Sequence, residues 1–310
     1  MRRVLFHIGS YTVYSYGMMI FLGIVCAYLT AEFRAKKRGL NSDNVFDMSM
    51  LSVIGGAVGA KLLFYIVEIK SVIANPSILL QIKDGFVVYG GIIGGIISCL
   101  IYCKKKKLDP AEWFDLIIPE IAIAQAFGRI GCLLAGCCYG AETTSAFHIV
   151  FTSSDYAPNN VWLYPTQIMS AMLNLLNFVL LTQVIARLTK KKGVVTACYL
   201  IFYSIGRFVI EFFRGDLERG AVGALSTSQF ISIFILIAGI ALLIICLKQN
   251  VTYAPESAAR TGSQETTKEA EMTQDAESMQ KAETVQKAET VQNAEMMQEQ
   301  EAKSNPEQDV

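Results

Sequence analysis

Three charged side chains interrupt an apolar stretch late in the chain. Arg207, Glu211 and Arg214 stand at positions i, i+4 and i+7, which places them on one face of a helix. Glu211 can neutralise either arginine and leave the other for an anion. Because a guanidinium group matches phosphate oxygens with two parallel hydrogen bonds, the pattern favours phosphate binding. The alternative is an internal ion pair that fixes the helix register.

A further basic residue, Arg129, lies between Gly128 and Gly131. It is the only lysine or arginine between Lys107 and Arg187, and no acidic residue lies three or four positions away. A purely structural ion pair is therefore less expected here. Charged groups inside a membrane face a protein or aqueous interior, and the phosphates present at that depth belong to lipid headgroups. The arginines in the outer half of the bilayer therefore indicate a phosphate-binding site.

Three cysteines, Cys132, Cys137 and Cys138, follow Arg129 closely. They are interpreted first as small packed residues. The alternatives are a reactive thiol near the arginine, and a disulfide on an oxidising face. A metal site is not favoured, because no histidine is close and two adjacent cysteines are poorly spaced for one ion. The sequence predicts no metal and no cofactor.

The composition places these residues in a membrane protein. Hydrophobic residues make up 53% of the chain, charged residues only 17%, and the mean hydropathy is +0.39. These values argue against a soluble enzyme or a secreted disulfide scaffold, and no nucleic-acid partner is expected. We predict an all-α polytopic fold with about seven transmembrane helices in a lipid bilayer. The predicted spans are 16–33, 48–69, 86–102, 114–135, 162–185, 194–213 and 229–247.

Basic residues alternate from loop to loop. Lysines and arginines concentrate in the first, third and fifth loops, around residues 34–38, 104–107 and 187–192. Such loops stay on the cytoplasmic side, so the N-terminus is predicted outside and the C-terminus inside. The predicted location is the cell membrane.

The two parts of the chain differ in composition. Residues 1–247 hold the apolar runs and form the predicted membrane domain. Residues 248–310 carry 13 acidic and six basic residues, and 269–298 repeat in hexads such as KAETVQ. A period of six gives no stable apolar stripe on a helix. We therefore predict a disordered, acidic, cytoplasmic tail.

Six short stretches in this order make the sequence resemble the prolipoprotein diacylglyceryl transferases, over about residues 11–247. Two of them carry the arginines: GRIG at 128–131, continuing to Gly140, is similar to the family's Gly-Arg-x-Gly signature, and RFVIEFFR at 207–214 resembles its Arg-Phe-x-x-Glu-x-x-Arg. The other four are SYG at 15–17, GAKLLFY at 59–65, YGGIIG at 89–94 and YPTQ at 164–167.

The resemblance implies an activity. Members transfer the diacylglyceryl group of phosphatidylglycerol to the lipobox cysteine of a preprolipoprotein signal peptide, with no cofactor. Arg129 would then hold the headgroup phosphate, and Arg214 would stabilise charge on the leaving group. Arg207 and Glu211 would orient them. Tyr16 and Gly140 would line the lipid pocket.

Some positions depart from the family pattern. The family's histidine is Tyr89 here, so Tyr89 stands where the catalytic base would be, although its hydroxyl is a weak base at neutral pH. The signature's asparagine and glutamate are replaced by Cys132 and Cys137. A diverged paralogue acting on another lipid, a thiol-redox protein and a transporter are the alternatives.

Overall fold

The computed structural model describes residues 4–9, 11–80, 85–216, 221–223, 225–249 and 251–253. Over these residues the protein is mostly helical, and seven spans are long and apolar enough to cross a bilayer. Six of them are single helices: α1 (Ser15–Lys37), α2 (Ser42–Val67), α4 (Val88–Lys106), α5 (Pro110–Ala135), α8 (Val194–Glu211) and α9 (Thr227–Gln249). The remaining span runs from α6 (Thr166–Val179) through a π-helical segment (Leu180–Ile185) into α7 (Ala186–Leu188). The predicted all-α, seven-span fold is confirmed.

Short elements connect the spans. Helix α3 (Ile69–Ala74) and a 3₁₀ turn (Pro76–Leu80) follow α2. Among the described residues, three antiparallel strand pairs lie before or between the spans: β1 (Val4–Ile8) with β2 (Tyr11–Tyr14), β3 (Ile149–Val150) with β4 (Trp162–Leu163), and β5 (Ala221–Val222) with β6 (Leu225–Ser226).

The fifth span begins later than the sequence indicated. Trp162 was predicted to start it, but Trp162 lies in β4 and pairs with Val150. Pro165 then precedes the first helical residue, Thr166, so the proline ring does not interrupt a backbone hydrogen bond. The apolar residues 162–163 therefore belong to the loop, where Leu163 is buried beside Phe151.

Helix α5 is the most buried span and packs against α1, α6 and α8. Its first turn is capped by Asp109, whose side chain accepts a hydrogen bond from the backbone N–H of Ala111 at 3.0 Å. It ends at Gly136, which adopts a left-handed φ of 76°. Close contact with α1 depends on small residues, because a Cβ on Gly23 would lie 2.9 Å from Cβ of Phe127.

Helices α2 and α4 form a second closely packed pair. A Cβ on Gly59 would lie 2.4 Å from the carbonyl oxygen of Gly90, and one on Gly94 would lie 2.2 Å from that of Gly55. Their backbones are thus in direct contact. Small residues serve this purpose in bilayers, where no hydrophobic effect drives helices together.

At the end of the bundle that carries the basic loops, polar contacts connect the start of α5 to the loop before α8 and to Tyr253. Lys192 forms ion pairs with Asp109 and Glu112, both at 2.7 Å. The buried carboxylate of Asp115 accepts hydrogen bonds from the backbone N–H of Gly193 at 2.6 Å and from the hydroxyl of Tyr253, also at 2.6 Å. The helical unit therefore extends to Tyr253, past the predicted boundary at residue 247, while the hexad repeats lie outside the described residues.

The neighbouring residues Gly94 and Gly95 provide a matched test of the α2–α4 contact. We expect Gly94→Ala to destabilise the protein by about 1–3 kcal/mol, because the new methyl group would overlap the α2 backbone. A Cβ at Gly95 meets only the carbonyl oxygen of Ser52, at 3.4 Å. Gly95→Ala should therefore change the unfolding temperature in detergent little, and equal effects of the two substitutions would contradict the packing argument.

Candidate active site

The three cysteines come together where α5 ends. Left-handed conformations at Gly136, with φ 76°, and at Cys138, with φ 59°, turn the chain back on the last helical turn. The sulfur atoms of Cys132, Cys137 and Cys138 consequently all lie within 4.8 Å of one another. A left-handed φ is uncommon for a residue with a side chain and costs energy, so the surrounding structure must hold Cys138 in place.

The start of α6 supplies part of that support. The hydroxyl of Thr166 donates a hydrogen bond to the carbonyl oxygen of Cys138 at 3.0 Å. The side-chain amide of the buried Gln167 donates one to the carbonyl oxygen of Cys137 at 2.9 Å. The YPTQ stretch, noted for its family resemblance, thus positions the cysteine turn.

Gly140 lies where three chain segments meet. A Cβ at this position would lie 2.3 Å from the carbonyl oxygen of Tyr164 and 2.9 Å from that of Phe213. Gly140 also forms an isolated β-bridge with Arg214. The structure therefore gives Gly140 a role in joining the ends of α5, α6 and α8, and it does not line either cavity described below.

Arg214 is 7% exposed and paired with a residue that the sequence motifs did not indicate. Its Nε and Nη2 atoms donate to the two carboxylate oxygens of Asp216, at 2.8 and 2.5 Å. Its guanidinium also contacts Cys138. Hydrogen bonds from Cys132, Cys137 and Arg214 lower the pKa of the Cys138 thiol. Burial disfavours the charged guanidinium and by itself would lower the pKa of Arg214. The contacts with Asp216 and Cys138 outweigh this effect and raise the pKa.

Glu211 pairs with Arg207 in the structure. Nη1 of Arg207 lies 2.7 Å from Oε2 of Glu211, and its Nη2 donates to the hydroxyl of Ser228 on α9 at 2.6 Å. The charges at i, i+4 and i+7 are thus divided between two pairs, one within α8 and one with Asp216. Neither Arg207 nor Arg214 is left without a counter-ion.

Arg129 differs from both. It lines a cavity of about 210 Å³ between α5, α6 and α8, together with Arg207. Within the described part of the chain, its guanidinium has no hydrogen-bonding or ion-pair partner. Asn177, which is 5% exposed, lines the same cavity, and its side-chain oxygen also lacks a partner among the described residues. Buried polar groups are normally satisfied, so this cavity offers unused hydrogen-bonding capacity to a ligand.

The cavity is elongated, and most of its lining is apolar. It reaches from Ser170 near the start of α6 to Leu180, ten residues further along the span, or about 15 Å at the rise of a helix. Leu173, Leu176 and Ile210 are among the apolar residues along its wall. A ligand with a charged head and an apolar chain matches this distribution.

Tyr16 and Tyr89 occupy different surroundings. Tyr16 lines a second cavity of about 570 Å³ with Ala135, Cys137 and Tyr156. Tyr89 is the second residue of α4 and 47% exposed, and it lines neither cavity. The structure therefore brings Arg129 together with Arg207, and Arg214 together with the cysteines, whereas Tyr89 lies on α4.

These features define a polytopic membrane protein with a cavity between its helices that two arginines line. Comparison with known sequences gives a more specific assignment. The sequence pattern of the family described as "Prolipoprotein diacylglyceryl transferase" matches residues 3–245, and the chain belongs to this family.

Relatives named phosphatidylglycerol–prolipoprotein diacylglyceryl transferase support the assignment. One from Clostridium tetani is 50% identical over 77% of this chain and 96% of its own length. A second, numbered 2, from Clostridium perfringens is 50% identical over 78% and 94%. One from Finegoldia magna is 33% identical over 81% and 98%.

Asp216 offers a test of the Arg214 pair. We expect Asp216→Asn to destabilise the protein by about 3–5 kcal/mol, because it leaves a largely buried guanidinium without its counter-charge. Glu142→Gln, an exposed acid in the nearby loop, is the matched control and should have little effect. The measurement is the unfolding temperature in detergent, and an unchanged value for Asp216→Asn would show that the pair is not a structural requirement.

Proposed function

We propose that this chain transfers the diacylglyceryl group of phosphatidylglycerol to the cysteine thiol of a prolipoprotein, forming a thioether and releasing glycerol phosphate. Membership of the family and the names of relatives at 50% identity support this activity. The alternatives, a paralogue for another lipid and a thiol-redox protein, are not favoured. In the prolipoprotein substrate, the segment that this protein would recognise is the lipobox of the signal peptide.

The observation that carries the proposal is the unpaired guanidinium of Arg129 in a largely apolar cavity. Phosphatidylglycerol presents one phosphate, two acyl chains and free glycerol hydroxyls. Arg129 would bind the phosphate, the leucine-lined wall would hold an acyl chain, and the side-chain oxygen of Asn177 would accept a hydrogen bond from a hydroxyl. Each unused group of the cavity then has a counterpart on the lipid.

Charge develops on the phosphate as the carbon–oxygen bond to the diacylglyceryl group breaks. Arg129 and its neighbour Arg207 would stabilise that charge in surroundings where water does not screen it. Arg214, held by Asp216, would act at the cysteine end of the site. The position of Tyr89 on α4, where the family has a histidine, remains a prediction for the group that deprotonates the substrate thiol.

Substitution of Arg129 tests this assignment. In detergent containing phosphatidylglycerol and a lipobox peptide, we expect wild-type protein to form a diacylglyceryl adduct, detected by mass spectrometry. Arg129→Ala should lower its rate of formation about 10²–10³-fold, because one electrostatic donor is lost. Arg129→Lys should recover only part of the rate, since it keeps the charge but not the planar fork.

The control is Arg187→Ala, which removes an exposed arginine that bonds to Gln183 at the other end of the bundle. It should leave the rate unchanged. A wild-type rate for Arg129→Ala, in protein that remains monodisperse, would show that the phosphate binds elsewhere.

We also propose that the protein resides in the plasma membrane with its tail in the cytoplasm. The charge distribution supports this orientation, because the basic loops lie at the end of the bundle opposite the arginine site. A green fluorescent protein fused to the C-terminus should fluoresce in cells, whereas alkaline phosphatase fused at the same point should be inactive. The reverse pattern would place the tail outside.

A further inference from the structure

The three-cysteine cluster is the feature that the headgroup site does not use. We propose that Cys132, Cys137 and Cys138 bind one zinc ion, and that the fourth zinc position is open to the thiol of the substrate cysteine. This proposal rests on the proposed transferase function for the identity of that thiol. The ligand set itself is inferred from the geometry of the cluster.

In the sequence, the adjacent positions of Cys137 and Cys138 argued against a metal site. The fold removes this objection. Two adjacent cysteines in an extended or helical chain direct their side chains apart, but the left-handed backbone of Cys138 does not follow that rule. All three sulfur atoms fall within 4.8 Å of one another. Three sulfurs bound to one zinc at about 2.3 Å in tetrahedral geometry are separated by less than twice that length. The cluster needs only small adjustments to close around an ion.

The donor set selects the metal. Thiolates are soft ligands that prefer zinc or copper(I) over magnesium and calcium. Structural zinc sites use four protein ligands, whereas catalytic sites use three and keep one position open. Among the described residues, no further cysteine, histidine, aspartate or glutamate joins the cluster. The set is therefore of the open, three-ligand type.

The surroundings suit a charged metal centre. Three thiolates around one divalent ion leave a net charge of about −1, which needs compensation where water is scarce. Arg214 contacts Cys138 directly and presents its guanidinium to the thiolate, and Asp216, whose charge balances that of Arg214, fixes its orientation through two hydrogen bonds. Groups outside the ligand set orient ligands and tune metals in this way.

A route for the substrate thiol is also present. Cys137 is half-buried and lines the cavity of about 570 Å³ that Tyr16 and Tyr156 also line. A peptide segment that enters this cavity reaches the cluster through Cys137. Cys132, in contrast, is buried in α5.

The chemistry balances without an oxidant or a further co-reactant. Each of the three protein thiols loses a proton to water when the zinc ion binds, and the substrate thiol loses its proton to water when it takes the fourth position. The zinc-bound thiolate then attacks the carbon of the diacylglyceryl group that is bonded to the phosphate oxygen. The carbon–sulfur bond forms as this carbon–oxygen bond breaks. Glycerol phosphate departs with the electron pair. The thioether product is neutral and is a weaker ligand, so it leaves the zinc.

Metal analysis of purified full-length protein is the first test. We expect about one zinc per chain, lost in Cys137→Ser, which changes a half-buried residue. Cys26→Ser and Cys198→Ser, on α1 and α8 away from the cluster, should keep the zinc. Chelation of wild-type protein should remove both zinc and transfer activity, and added zinc should restore both. Absence of zinc from active wild-type protein, or copper in its place, would overturn the proposal.

Cobalt substitution tests the open position without relying on turnover. Co²⁺-loaded protein should show a thiolate-to-cobalt charge-transfer band that is absent from Cys137→Ser. A lipobox peptide should increase that band, whereas the same peptide with serine for cysteine should not. An unchanged spectrum with the cysteine peptide would overturn the open position. A metal-loaded protein that binds the peptide thiol but makes no adduct would disprove the transferase function and leave the metal site intact.

Discussion

A charge inside a membrane protein must have a partner, and the architecture follows from that constraint. Four of the buried or half-buried basic groups that the structure describes are paired with acids: Arg34 with Glu120, Arg207 with Glu211, Arg214 with Asp216, and Lys192 with Asp109 and Glu112. Arg129 lines a cavity, and no acid pairs with it among the described residues. The paired groups hold parts of the bundle in place, whereas the guanidinium of Arg129 is the one that we propose for ligand binding.

Helix α5 combines both roles along its length. Near its start, Asp115 and Glu120 are buried and bind the loop before α8 and the end of α1. About two and a half turns after Glu120, Arg129 lines the cavity, and Cys132 begins the cysteine cluster. Because α5 is the most buried span, Arg129 and Cys132 stand on the span that the rest of the protein encloses most. Groups on a packed helix are held more precisely than groups on a loop.

Much of this was predictable from the sequence, and the failures have physical causes. The spans were found to within a few residues because length and hydropathy are sufficient in lipid. The arginines were recognised as candidate site residues because charged residues are rare in membrane spans. Asp216 was missed because the bond to Arg214 depends on the turn after α8, and Ser228 because its contact crosses between helices. The closeness of Cys137 and Cys138 to Cys132 depends on the left-handed backbone of Gly136 and Cys138, which no spacing rule contains.

The loop between α5 and α6 has a small core of its own, in which Phe151, Ala157 and Leu163 are buried. This core and the backbone bonds around Gly140 fasten the ends of three spans together independently of the lipid. A bilayer that thins or thickens changes the tilt of helices, and it acts on their apolar flanks. A change in membrane thickness therefore acts on the tilt of the spans more directly than on the sulfur and guanidinium groups that this loop core holds together.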